Sequence, residues 1–132
     1  MERTYVMIKP DAVARGLIGR VVCRFEDVGL TIERMELETL DRTLAEANYA
    51  EHETKPFYGE LIEYVTSGPV VKMVVSGPGA VAICRKLIGA TDPVEAAPGS
   101  IRGDFGLIMD ANLVHGSDSI ESAGREIGIF FG

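Results

Sequence analysis

Apolar and polar positions fall into blocks along the chain, and the period of each block predicts an element. Arg3 to Ile8 is rich in β-formers and predicts a strand that Pro10 stops. From Gly16 to Val28, residues Leu17, Ile18, Val21, Val22 and Phe25 recur at helical spacing, with Gly29 as the stop. Leu30 to Leu40 predicts a strand in which Ile32 and Met35 break strict alternation, marking a bulge or kink. Leu44 to His52 predicts a short helix and Pro56 to Thr66 another, with Pro56 suited to a first turn. After the turn at Ser67-Gly68-Pro69, Val70 to Val75 is a nearly unbroken β-branched run, expected of a central strand buried on both faces. Gly79 to Ile88 predicts a helix. Gly89 to Gly106, with Pro93, Pro98, Gly99 and Gly103, predicts a long irregular loop, and such a loop in a compact chain is usually functional. A short strand around Leu113-Val114-His115 leads into a helix from Ile120 to Phe130, where Asp118 and Glu121 have capping-box spacing and Gly124 weakens the helix by ~1 kcal/mol relative to Ala.

Four strands separated by helices predict an α+β sandwich of the split β-α-β type, with a four-stranded antiparallel sheet covered by helices. The 132 residues fit one domain over positions 1–132. Hydrophobic content of 46% argues against disorder. The net charge of -7 argues against nucleic acid as the main partner, and it means that an anionic ligand would need the few cations gathered locally. The first residues do not read as a secretory signal, and no apolar run approaches a membrane span. Cys23 and Cys84 are expected to be reduced core thiols, and two Cys with two distant His give no zinc spacing. A cytoplasmic protein is expected.

The candidate chemistry lies in Asn112-Leu113-Val114-His115-Gly116-Ser117-Asp118-Ser119, which holds one of only two histidines. Small neighbours leave an imidazole nitrogen reachable, while hydroxyls and a carboxylate can fix its tautomer. A lone histidine in a turn before a helix would read the same way. Lys9 ends the first strand, Arg85 sits on the helix before the long loop, and Arg102 lies within it beside glycines. Each alone reads as a solvated charge, but three cations near glycine-rich segments can converge on a polyphosphate. No Walker A pattern is present. Gly77-Pro78-Gly79-Ala80-Val81-Ala82 matches a loose dinucleotide pattern, but the acidic residue expected after a following strand is missing, so it reads as a tight strand-to-helix turn.

Lys9-Pro10-Asp11, Ser67-Gly68-Pro69-Val70, Gly89-Ala90-Thr91-Asp92-Pro93, Pro98-Gly99-Ser100-Ile101-Arg102-Gly103-Asp104-Phe105 and Asn112-x-x-His115-Gly116-Ser117-Asp118-Ser119 occur in this order. On these motifs, from Glu2 to Phe131, the chain resembles the nucleoside diphosphate kinase family. The resemblance implies a ferredoxin-like fold and ping-pong transfer of the γ-phosphate of a nucleoside triphosphate through a phosphohistidine at His115. It implies that Glu126 and Ser117 hold the ring, and that Lys9, Tyr49, Arg102 and Asn112 surround the transferred phosphate and ribose. It also implies Arg85 and Thr91 on the outer phosphates, Phe57 stacked on the base, and Leu61 and Met109 along its edge. Mg²⁺ would be held mainly by phosphates and water, with Asp118 in an outer shell. Without the resemblance, Tyr49 and Phe57 read as core or groove residues, Glu126 as a solvated helix carboxylate and Asn112 as a turn residue. A nucleotide-binding module without turnover and a phosphohistidine carrier acting on a protein remain as alternatives.

The chain departs from the family pattern at Ala12, where Gly is frequent, and at Ser100, where Thr is usual. Relatives usually continue beyond the position of Gly132 with a tail that packs on a neighbouring subunit, and no residue of the site lies in it. The implied partners are nucleoside triphosphates and diphosphates and further copies of the chain, as a hexamer rather than a tetramer, with no membrane and no specific nucleic acid.

Overall fold

A computed structural model describes residues 1–132. Strands β1 (Arg3–Ile8), β2 (Thr31–Thr39), β3 (Pro69–Ser76) and β4 (Val114–Gly116) form one sheet in the order β2-β3-β1-β4, with every pair antiparallel. Each sequential β-α-β unit is thus split by a strand from the other unit, as the ferredoxin-like reading requires. Helices α1 (Pro10–Ala14), α2 (Ile18–Asp27), α3 (Arg42–Asn48), α4 (Tyr58–Val65), α5 (Ala80–Ile88), α6 (Ile101–Phe105) and α7 (Ile120–Phe131) join and cover the strands.

Both faces of the two central strands are buried, so β1 and β3 read as continuous apolar runs rather than alternating ones. On one face Val6, Ile8, Val71, Met73, Val75 and Val114 pack against Val21 and Phe25 of α2 and Ala80, Cys84 and Ile88 of α5. On the other, Tyr5, Met7 and Val70 meet Ala45 of α3, Ile62 and Val65 of α4 and Phe130 of α7. Each fully buried large side chain, such as Phe25 or Ile62, contributes about 1.5–3 kcal/mol. Strand β2 is the exposed edge, and its register shifts between Ile32 and Arg34, where the broken alternation predicts a bulge.

Several boundaries differ from the sequence reading. Pro10 does end β1, but it also occupies the first turn of α1, where its missing N–H costs nothing. The helix expected over Leu44 to His52 is α3, capped by Asp41, followed by a separate 3₁₀ turn at Ala50–His52. Pro56 precedes α4 rather than opening it. The stretch expected to be irregular contains α6, capped by Ser100 accepting from the Gly103 N–H. The cap of α7 is Ser119, which accepts from the Ser122 N–H, and not the Asp118–Glu121 box. Cys23 lies on the outer side of α2 and is exposed; only Cys84 is a core thiol. No helix is long and apolar enough to cross a membrane.

Candidate active site

Strand alternation decides where the histidine points. Met7 of β1 pairs with His115, so both face α7, while Val114 joins the opposite core. Gly116 also faces that opposite side, and a Cβ there would meet Ile88 Cδ1 at 2.6 Å, so only glycine lets β4 lie this close to α5.

Glu126 lies in the second turn of α7 and looks back at the strand. His115 Nε2 is 2.8 Å from Glu126 Oε1. Ser117 accepts from the Tyr5 N–H at 3.3 Å and gives its own proton to the same carboxylate oxygen at 2.7 Å. Burial pushes the Glu126 carboxyl up, but hydrogen bonds from His115 and Ser117, with Arg125 nearby, outweigh it and hold the group below the usual carboxylate range. An ionised carboxylate is acceptor-only, so Nε2 carries the ring proton and Nδ1 keeps its lone pair. The imidazole side chain is one-fifth exposed while Glu126 is buried beneath it.

Two buried cations stand close by. Lys9 Nζ donates to Asn112 Oδ1 at 2.7 Å, and Asn112 Nδ2 donates to the Thr91 carbonyl at 3.1 Å. Arg102 donates from Nε to the Asn112 carbonyl, from Nη1 to the Gly89 carbonyl and from Nη2 to the Val114 carbonyl, at 3.0, 3.2 and 2.6 Å. Gly89 ends α5 at φ 93°, a left-handed conformation that suits glycine. Arg85 donates to the Gly116 carbonyl at 3.2 Å. None of Lys9, Arg85 and Arg102 forms an ion pair with a carboxylate, whereas Arg3, Arg24, Arg34, Arg42, Arg125 and Lys72 all do. Lys9 and Arg102 are buried while Arg85 is exposed, and buried charge is costly unless paired, so Lys9 and Arg102 are suited to an external anion. Burial, then Arg102, lowers the Lys9 ammonium to about 8; burial, then Arg85, lowers Arg102 to about 10.

Lys9, Thr91 and Asn112 also line a cleft of about 580 Å³ whose apolar side is Phe57, Leu61 and Met109. Phe57 is about half exposed, with the Lys55 ammonium 5.7 Å and the His52 ring 5.6 Å from its centroid. Glu60, Tyr64 and Asp110 line the cleft as well and were not singled out from the sequence. Spacing held the signal for two of them: Phe57, Glu60, Leu61 and Tyr64 stand at i, i+3, i+4 and i+7 along α4. Tyr64 donates to Asp11, two residues after Lys9 in the chain. Tyr49 does not line the cleft; it packs beside α7, where burial and then Glu126 push its phenol up to about 12. Asp118 sits in the turn before α7, with its carboxyl held low by Ser122.

One feature has no sequence signal. Leu113, fully buried between Asn112 and Val114, has φ 76°, and for a residue with a Cβ that conformation costs about 1–2 kcal/mol. Its carbonyl accepts from the Lys9 N–H at 2.8 Å, tying the first strand's end to the histidine strand.

Lys9 is the one cation that lines the cleft, and His115, Arg85 and Arg102 lie outside its lining. A cleft with a buried cation, together with a tautomer-fixed imidazole on a ferredoxin-like sheet, suits the class of phosphoryl-transferring α+β proteins. A family model described as nucleoside diphosphate kinase matches residues 2–132. A nucleoside diphosphate kinase from Parafrankia sp. (strain EAN1pec) is 61% identical over 130 residues, covering 98% of this chain and 95% of the relative. One from Archaeoglobus fulgidus is 57% identical over 131 residues, covering 99% and 87%. The apo enzyme of Encephalitozoon cuniculi superposes with TM-score 0.97 at 45% identity over 100% of this chain and 90% of that one. The halophilic enzyme of Halobacterium salinarum, solved in complex with CDP, gives 0.96 at 50% identity over 98% and 87%. The chain belongs to the nucleoside diphosphate kinase family and is an enzyme of nucleotide phosphate transfer.

Proposed function

We propose that this chain moves the γ-phosphate of a nucleoside triphosphate, typically ATP, to a nucleoside diphosphate through a covalent phosphohistidine at His115. The observation that carries the proposal is the Nε2–Glu126 bond, which leaves Nδ1 as the free nucleophile. The Nδ1 lone pair attacks the γ-phosphorus, the N–P bond forms, and the P–O bond to the departing diphosphate breaks with its electrons on oxygen. The ring becomes more positive as this happens, and Glu126, already ionised, stabilises it through the Nε2 proton. A terminal oxygen of the second diphosphate then attacks phosphorus and returns the lone pair to Nδ1.

Lys9 and Arg102 neutralise charge around the transferred group, which is most of what a loose phosphoryl transition state needs. Three of the five N–H donors of Arg102 hold backbone carbonyls, so its remaining donors reach a phosphate from a fixed frame. In this proposal Arg85 and Thr91 bind the outer phosphates, and Asn112 and Tyr49 lie toward the ribose and the transferred group. Ser117 orients Glu126. Phe57 stacks on the base with Leu61 and Met109 at its edge; stacking reads a π-face, so broad base tolerance follows.

A divalent cation, Mg²⁺, would accompany the nucleotide. The chain offers no group of three or more His, Cys, Asp or Glu side chains fit to hold a metal, but the ionised Asp118 carboxylate suits an ion bound mainly by phosphate oxygens and water. The whole function is carried by one domain over residues 1–132 and operates in the cytoplasm. The assembly is a hexamer, supported by the apolar residues Met35 and Leu37 exposed on edge strand β2 and Val94 and Leu107 on loops. Light scattering reads the mass directly, and a stable monomer or dimer refutes the hexamer.

Protein exposed to γ-labelled ATP, freed of nucleotide and then given CDP or dGDP tests the proposal. Labelled CTP or dGTP is the expected product. Label that stays on the protein indicates a carrier for another protein, and no label at all indicates a binding module.

Lys9 sets the alkaline limit. Its ammonium, lowered to about 8 by burial, is charged below that pH and neutral above it. Nucleoside diphosphate affinity and kcat/KM are therefore expected to fall as pH rises through about 8. Bound phosphate favours the charged form, so the limb in kcat lies at higher pH than the limb in kcat/KM. A kcat/KM profile that stays flat through pH 8 contradicts this role for Lys9.

A further inference from the structure

Lys72 is a charged residue in the middle of a central strand, and the proposed chemistry makes no use of it. It is 3% exposed and faces α7. Its ammonium forms ion pairs with Glu38 at 2.5 Å and Glu36 at 3.3 Å, both on the neighbouring edge strand. It also donates to the Phe130 carbonyl at 2.9 Å. That carbonyl is among the last four of α7, which have no partner within the helix, and a cation there also complements the helix dipole. The next ring, Phe131, has two cations near its centroid, the Arg34 guanidinium at 4.5 Å and the Lys72 ammonium at 4.7 Å. Lys72 thus caps α7 from outside the helix.

The cap is connected to the histidine by the sheet register. Met7 pairs with Lys72 on one side and with His115 on the other, so the three side chains form one row on one face. Adjacent strands lie about 4.8 Å apart, which puts Lys72 and His115 roughly 10 Å from each other. Helix α7 crosses this row with Glu126 over His115 and Phe130, one turn on, over Lys72. Phe130 also stacks on Tyr5 at 4.9 Å, and Tyr5 is 5.9 Å from the His115 ring. Glu126 sits midway between Gly124 and Gly128, and each glycine weakens a helix by about 1 kcal/mol relative to alanine. The helix that carries the carboxylate is therefore soft at that point and is held from its far end.

We infer that Lys72 is a positioning residue: by gripping the C-terminal end of α7 through the Phe130 carbonyl, it keeps Glu126 in register with His115 Nε2. The inference rests on the phosphohistidine reading for its kinetic consequence but not for its structural one. Lys72→Met is the test, read in two ways. In nucleotide-free protein the ¹⁵N shifts of His115 should lose the separation between a protonated Nε2 and a bare Nδ1. The rate of His115 phosphorylation by ATP should fall about five- to tenfold, the scale of a sub-ångström misplacement, with KM for the diphosphate changed less than about twofold. The loss should vanish when Lys72→Met is made in a Glu126→Gln background. Gly124→Ala with Gly128→Ala should restore part of it, since a Cβ at either position meets nothing within 4 Å. Unchanged ¹⁵N shifts and rate in folded Lys72→Met overturn the inference, as does an equal loss in the Glu126→Gln background. Should Lys72→Met fail to fold, the alanine-stiffened background carries the same comparison, and failure to fold there also overturns it. If the unmodified chain transfers no phosphate, the kinase proposal fails while the ¹⁵N comparison still decides this one.

Discussion

His115→Gln is expected to abolish both labelling by γ-labelled ATP and formation of new triphosphate, a fall in kcat/KM of about four orders of magnitude or more. Glutamine occupies a similar volume and can still donate to Glu126, so the buried carboxylate keeps a partner and the fold is preserved. What disappears is the nitrogen lone pair at the place of Nδ1, and no neighbouring group can replace it. Ser117 is buried and spends its proton on Glu126, and Lys9 is held by Asn112. Nucleoside diphosphate affinity should be nearly unchanged, because the cleft and its cations are intact. Retained labelling at any site in this variant would refute the nucleophile assignment.

The second large effect is expected at Arg102. Arg102→Met removes the donor to three carbonyls, those of Gly89, Asn112 and Val114, in a residue only 4% exposed. Carbonyls left without a donor in a buried place cost about 1–3 kcal/mol each, and partial rehydration brings the expected total to about 2–5 kcal/mol. For a domain of this size that is a fall in Tm of about ten degrees. Phosphate binding is expected to fall with it, since the proposal places the same guanidinium on the transferred phosphate. Arg102→Lys should recover little of either, because one ammonium cannot span three carbonyls and a phosphate together. A lysine variant with unchanged Tm and kcat/KM would show that the forked geometry is not what the site uses.

The two residues differ in how openly the sequence shows them. His115 stands in a run of small polar residues that leaves few structural uses for it, and the strand-turn-helix order around it is readable from periodicity. Arg102 needs the structure, because its three acceptors lie up to 13 residues away and its helix is hidden. Helix α6 is five residues long with Gly103 inside and Gly99 just before it, so composition reads as a loop. The same limit applies to Glu60 and Tyr64, whose helical spacing with Phe57 is visible but equally fits a core-facing stripe. Lys72 is further still from legibility. A lysine in a β-branched run suggests nothing until Glu36, Glu38 and the end of α7 are brought around it. Leu113 carries no mark of its positive φ, since that conformation is imposed by tertiary contacts on a residue that does not favour it. The place of Cys23 is not legible either, because a thiol in an apolar helix fits either side, and here it falls on the outer one. Sequence periodicity therefore gave the layers and most element bounds. That Lys9 and Arg102 are both buried without a carboxylate partner is a property of the folded chain alone.

The proposed transfer requires that phosphate reside on one particular ring nitrogen. Protein labelled by ATP, kept alkaline and examined by ³¹P and ¹⁵N NMR, identifies both the residue and the atom. The expected result is a base-stable, acid-labile phosphoramidate on His115 Nδ1, with Nε2 still protonated against Glu126. Phosphate on Nε2, on a hydroxyl or on any residue other than His115 would contradict the account.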